Sequence, residues 1–201
     1  SGILIRKSVL QISVLIGCSA LFVIRAGAQT PAPAEGTPPA ILQIEREEVR
    51  PGKGAAHAVN EKAWTAAYVK AQSPVQWLGM TNMSGPAEAW FLTALDSFAA
   101  LEKNDLSTDA NPALSAERDR VAAIDGDLLS RTSTIIARYR PALSYQPTVK
   151  LPTMRYVTVN LVRVKAGRAA EFADGWRMIV DAHKKANMEE HWAVYEVESG
   201  M

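Results

Sequence analysis

Ile44 to Glu61 reads IEREEVRPGKGAAHAVNE, and Val159 to Trp176 reads VNLVRVKAGRAAEFADGW. The two stretches are one pattern written twice, a strand-like segment that breaks at Pro51-Gly52 or Ala166-Gly167 and passes through a basic residue into an Ala-rich run. The register extends without a gap from Ile44–Gly85 onto Val159–Gly200, with ten of 42 pairs identical, among them Gly52/Gly167, Trp77/Trp192 and Gly85/Gly200. Self-similarity over that length marks a duplicated supersecondary unit.

Each copy reads strand, helix, strand. Arg155 to Val164 alternates as a half-buried strand should, and Ile41 to Val49 is its counterpart with a more charged outer half. Gly54–Gln72 and Arg168–Asn187 carry helix-forming composition, and Val75–Met83 and His191–Glu198 are predicted second strands, each anchored by its Trp. The first copy continues through Ser84-Gly85-Pro86 into a third strand, Glu88–Thr93, and a short helix, Ser97–Asn104, with Asp96 as its expected N-cap. Between the copies, Asn111-Pro112 opens a predicted helical arm whose apolar positions run from Leu114 to Tyr139, interrupted at Gly126 and ended by Pro141.

Composition excludes several classes. The chain has 201 residues, 22 Lys and Arg against 21 Asp and Glu, and a single Cys. A net charge of +1 provides no field for nucleic acid, and one Cys excludes a disulfide scaffold. Arg6-Lys7 precede an apolar run to Ile24 closed by Ala26-Gly27-Ala28, the pattern of a secretory leader cleaved after Ala28. Two other readings stand beside it: Leu15-Ile16-Gly17-Cys18 as a lipidation site on Cys18, or an uncleaved anchor. The expected organisation is a leader (1–28), a Pro-rich linker (29–40), a first unit (41–106), a helical insertion with connector (107–152) and a second unit (153–201). The exported product is expected in the periplasm or outside the cell. The start at Ser1-Gly2 and the end at Gly200-Met201 suggest a longer natural chain, extended by a stretch resembling Pro86–Asn104.

A strand–helix–strand–strand–helix unit in tandem, with these turns, resembles the dimeric α+β barrel superfamily, the ferredoxin-like group that includes antibiotic-biosynthesis-type monooxygenases and haem-handling relatives. The resemblance covers about Ile41–Asn104 and Thr153–Met201 and rests on element order. It implies an α+β fold in which two tandem units, the second truncated, pack sheet against sheet into a barrel, and it allows a homodimer.

Candidate chemistry comes from comparing the two long helices. In the second, Phe172, Trp176, Ile179, Val180 and His183 form an apolar stripe; the 115-residue offset maps it onto His57, Glu61, Trp64, Thr65 and Tyr68. If that face points inward, His57 and Glu61 form a catalytic acid–base pair one turn apart, with Trp64 and Tyr68 beside them. The competing orientation buries Ala55, Val59, Ala63, Ala66 and Ala67 and leaves His57 and Glu61 as a solvated pair. Trp77 and Trp192 are core anchors or walls of a ligand pocket. His183 reads as a helix-end residue and His191 as surface. No metal set is evident among three His, and no dinucleotide, P-loop or serine-hydrolase motif occurs. The expected function is binding of a small apolar or aromatic ligand without a cofactor; the alternative is a cofactor-free monooxygenase or haem-handling enzyme acting on an aromatic substrate. Membrane association is expected only through the leader or a lipidated Cys18.

Overall fold

The computed structural model describes residues 8–15, 37–148 and 154–200. In chain order they form β1 (Ser8–Leu15), β2 (Ile41–Val49), α1 (Gly54–Lys70), β3 (Leu78–Thr81), β4 (Glu88–Leu95), α2 (Phe98–Asp109), α3 (Pro112–Leu128), β5 (Leu129–Tyr139), a 3-10 turn at Pro141–Leu143, β6 (Tyr156–Arg163), α4 (Ala169–Ala186) and β7 (Trp192–Ser199). The fold is α+β, and the chain divides into two compact units, one of them Gln43–Ile135. The other comprises, among described residues, 8–15, 37–42 and 136–200. Cys18 and most of the Pro-rich linker lie outside the described residues.

The unit Gln43–Ile135 runs β2-α1-β3-β4-α2-α3-β5, with strand order β3-β4-β2-β5. That is the βαββαβ order of a ferredoxin-like sheet, with α2 and α3 together filling the second helix position. The arm expected as a helical insertion is therefore integral to this unit. It is helical only to Leu128, runs through Gly126 without interruption, and then becomes β5, so Ile135, Ile136 and Tyr139 are strand residues. The β-branched run Thr132, Thr134, Ile135, Ile136 packs better on a pleated surface than in a helix, where its χ1 freedom is lost.

Local chemistry sets the helix ends. Gly52, at φ +78, makes the left-handed step between β2 and α1 that a Cβ would resist. Ser97, not Asp96, caps α2: its Oγ accepts the Ala100 N–H at 3.1 Å. Asn111 Oδ1 accepts the Leu114 N–H at 3.1 Å, and Pro112 occupies the first turn of α3, where its missing N–H costs nothing. The helix α1 packs against α3, and α2 against both α3 and β4. In the β3–β4 pair Gly79 faces Phe91, and a Cβ there would meet the phenyl ring at 3.3 Å, so the glycine makes room for that ring.

In the other unit the strand order is β5-β7-β1-β6. Its core is Leu143, Tyr145, Val164, Val180, Trp192 and Val194, against which Val162, Phe172, Ala173 and Trp176 pack. The indoles of Trp176 and Trp192 both donate to the Leu143 carbonyl, at 2.9 and 2.8 Å, so the apolar face of α4 is pinned to the 3-10 turn. The first strand, β1, belongs to this sheet: Ser8–Leu15 pairs antiparallel with β6, and its residues 9–13 also pair with β7, Gln11 facing Asn160 on one side and Val194 on the other. In this unit β1 lies between β7 and β6; in Gln43–Ile135, β4 lies between β3 and β2.

Candidate functional site

The charged half of β2 alternates. Ile44 is fully buried, and the next residue on its face, Arg46, reaches Glu88 of β4 with its Nε at 2.9 Å and lies 5.4 Å from the Trp90 ring. Gln43, Glu45 and Glu47 take the opposite face and line a cavity of about 470 Å³ within Gln43–Ile135. The helix α1 supplies Glu61, Trp64 and Tyr68 to it; Trp77, Phe91 and Thr93 come from the β3–β4 region, and Asp105, Asp109 and Arg118 from α2 and α3. Of the neighbours Trp90 and Phe91, only Phe91 lines this cavity, as strand alternation requires.

Of the two orientations open to α1, the structure adopts the one that points His57 inward. His57, Asn60 and Ala67 are buried, whereas Val59 is 66% exposed. Of the opposite face, Ala55, Val59 and Ala66 are exposed, Ala63 is half-buried and only Ala67 is buried, because α3 offers α1 polar anchors. The Asn60 side-chain amide donates to the Val121 carbonyl at 3.1 Å and to Asp125 Oδ1 at 2.6 Å, and Trp64 Nε1–H donates to Asp125 Oδ2 at 2.6 Å. One carboxylate thus fixes the helix and the indole together. Tyr68 meets Trp77 edge to face, with ring centroids 4.9 Å apart.

At the end of the cavity toward the start of α1, His57 Nε2 lies 2.7 Å from Glu47 Oε2 and 3.4 Å from Glu61 Oε1. The His57 and Glu47 side chains retain 6% and 9% of their exposure, so the pair is dry, while Glu61 keeps 20% and opens to the cavity. Burial raises the Glu47 carboxyl above its ordinary range, opposed by the hydrogen bond from His57. Glu61 is pushed up to about 8, first by burial and then by the negative charges of Glu47, Asp125 and Glu45. Its Oε1 is buried without a hydrogen-bond partner among the described residues. Burial also raises Glu45, offset by Arg118, and the Tyr68 hydroxyl. The cluster can exchange a proton between His57 and Glu61, or hold a cation among its three ligand atoms.

The sequence-predicted residues divide. His57, Glu61, Trp64, Tyr68 and Trp77 come together in this one region. Trp192 does not: it is 5% exposed in the core of the other unit, its indole committed to Leu143, so its place is that of a core anchor. His183 Nδ1 lies 2.8 Å from the Ile179 carbonyl near the end of α4, and the half-buried His191, just before β7, has its Nδ1 2.8 Å from the Gln146 carbonyl. Arg140 and Arg138, beside Tyr139, pair with Glu196 and Glu198. Sequence reasoning missed Glu45, Glu47, Asn60, Arg118 and Asp125. The signal available for Glu47 was its two-residue step from Glu45 and Gln43 on one strand face.

A haem does not fit these residues. Among the described residues, five carboxylates and one Arg line the cavity, a charge that opposes the anionic propionates of a haem.

No protein-family model and no curated protein matches the chain. Among solved structures, a protein from Fusobacterium nucleatum subsp. nucleatum, provisionally assigned as a monooxygenase, is similar at 12% sequence identity and a TM-score of 0.42, over 80% of this chain and 76% of that one.

Proposed function

We propose that the unit Gln43–Ile135 is a small-ligand-binding domain whose ligand joins an aromatic body to a positive charge. One observation carries this reading: the cavity sets the rings of Trp64, Tyr68, Trp77 and Phe91 beside Glu45, Glu47, Glu61, Asp105 and Asp109, with Arg118 as the one basic residue lining it among those described. Aromatic faces attract cations as well as apolar surface, and clustered carboxylates in a partly desolvated cleft exclude anions. The test is titration with phenethylammonium and with the near-isosteric anion 3-phenylpropionate, read by tryptophan fluorescence and calorimetry. Binding of the cation alone, weakened at least about tenfold by Trp77→Ala and by added salt, supports the reading. Equal binding of both probes, or of neither, overturns it.

An enzymatic version of the same site is favoured by the 3.4 Å approach of Glu61 to His57 at the cavity edge. There, the two move a proton on a bound aromatic substrate, and cofactor-free oxygenation is the reaction that the sequence resemblance implies. Oxygen-dependent loss of a quinol, abolished by Glu61→Gln, supports it; no turnover with a quinol that binds overturns it.

The tandem reading belongs to the same proposal. It is supported by the 115-residue register and by the matching inward faces of His57 and Glu61 on α1 and Phe172 and Trp176 on α4. Export is supported by the leader pattern of residues 1–28, and N-terminal sequencing of exported material is expected to begin at Gln29.

A further inference from the structure

We infer that Glu47, His57 and Glu61 form a binding site for a first-row divalent cation such as Zn²⁺, independent of any organic ligand in the cavity. Three observations point the same way. The first is the donor set: an imidazole nitrogen and one oxygen from each of two carboxylates lie within 4.8 Å of one another. Imidazole with carboxylate suits zinc, iron or manganese, whereas calcium and magnesium prefer all-oxygen sites.

The second is spacing. Bonds of about 2.0–2.1 Å to a tetrahedral zinc place neighbouring ligand atoms about 3.3 Å apart. His57 Nε2 and Glu61 Oε1 already stand 3.4 Å apart; His57 Nε2 and Glu47 Oε2, at 2.7 Å, need to open by a few tenths of an ångström. Two ligands sit at i and i+4 on α1 and the third on β2, so rigid elements hold all three. Because Glu47 and Glu61 both border the cavity, remaining coordination positions face open space where water or a ligand can enter.

The third is the stranded atom. Glu61 Oε1 is buried with no hydrogen-bond partner among the described residues, beside a second buried carboxylate. A buried acceptor left unsatisfied is costly, more so next to like charge. A cation at the centroid satisfies it and offsets the negative charge of the two carboxylates; on binding, the Nε2 proton of His57 and any proton on Glu61 leave to solvent.

The rival account of the same geometry is a proton on Glu61, and the test separates the two. Full-length protein stripped with chelator is titrated with Co²⁺, read by its visible ligand-field bands, and with Zn²⁺, read by melting temperature. Glu61→Gln is the diagnostic variant: its amide mimics the protonated acid and it is expected to fold. The inference requires one equivalent of Co²⁺ with low-coordinate bands and an upward shift of melting temperature with Zn²⁺. It further requires that affinity fall at least about tenfold in Glu61→Gln and in His57→Gln, while metal-free Glu61→Gln is no less stable than the parent. Absence of Co²⁺ bands overturns it. So does an affinity that Glu61→Gln leaves unchanged, which would place the metal elsewhere, for example at His183 or His191.

Discussion

The indole N–H of Trp64 and the amide of Asn60, one turn apart on α1, are held by the two oxygens of one carboxylate, Asp125 of α3, each at 2.6 Å. The aromatic wall of the cavity is therefore positioned by the helix that the sequence offers as an insertion. Replacing Asp125 with Ala leaves two buried donors unpaired and is expected to cost about 2–4 kcal/mol. Urea denaturation should show the loss as a lower midpoint at constant slope, with a red shift of tryptophan emission as Trp64 loosens.

Glu61 makes stability depend on pH. Its folded-state value of about 8 lies above the ordinary 4.5, so over that interval the unfolded chain ionises while the folded one keeps the proton. Stability is lost as pH rises through this window and levels above about pH 8. Glu61→Gln carries no such slope. In chelator, its advantage over the parent should grow from near zero at about pH 4.5 to a few kcal/mol at about pH 8, measured by chemical denaturation at successive pH values.

Glu88 should behave oppositely. The Arg46 guanidinium, by hydrogen bond and charge, and the Trp90 indole hold its carboxyl below the ordinary range. Its contribution is present above that range and disappears as pH falls through its lowered value. Glu88→Gln is expected to cost about 1 kcal/mol or less at neutral pH, given the partial exposure of Arg46, and nothing at strongly acid pH.

Trp192 tests the division between core and cavity. Trp192→Ala removes a buried indole and its bond to Leu143 and should cost about 3–5 kcal/mol. Below the variant's melting temperature, probe binding should be unchanged, since Trp192 contributes nothing to the lining of the cavity. A Trp77→Ala variant should show the reverse balance.

Much of this was legible in the sequence. The repeat register located both strand–helix–strand units, and Ser97 and Asn111 marked the starts of α2 and α3, while their ends at Asp109 and Leu128 lay well away from the expected Asn104 and Tyr139. The face of α1 was not decidable, because Ala55, Val59 and Ala66 make as good a stripe as His57, Glu61 and Trp64. The choice falls to Asp125, 61 residues beyond Trp64, and long-range anchors leave no local trace. Glu47 was hidden for a different reason. Period-two alternation along Gln43–Glu48 puts charge on both faces, so nothing local says which Glu is buried until His57 is placed against it. At β5, an apolar spacing compatible with a helix outweighed a β-branched run that favours a strand.

The strand Ser8–Leu15 has neighbours on both flanks, β6 and β7, each bonded through its backbone. Cleavage after Ala28 would take it away and leave two facing rows of unmet N–H and C=O groups, a parting the width of one extended peptide. Such a parting would accept an extended segment able to run antiparallel to both flanks, since main-chain bonds supply the affinity. Were residues 1–28 removed, Ser8–Leu15 would prove to have been an internal donor strand, and its loss would exchange a self-contained sheet for an adhesive one.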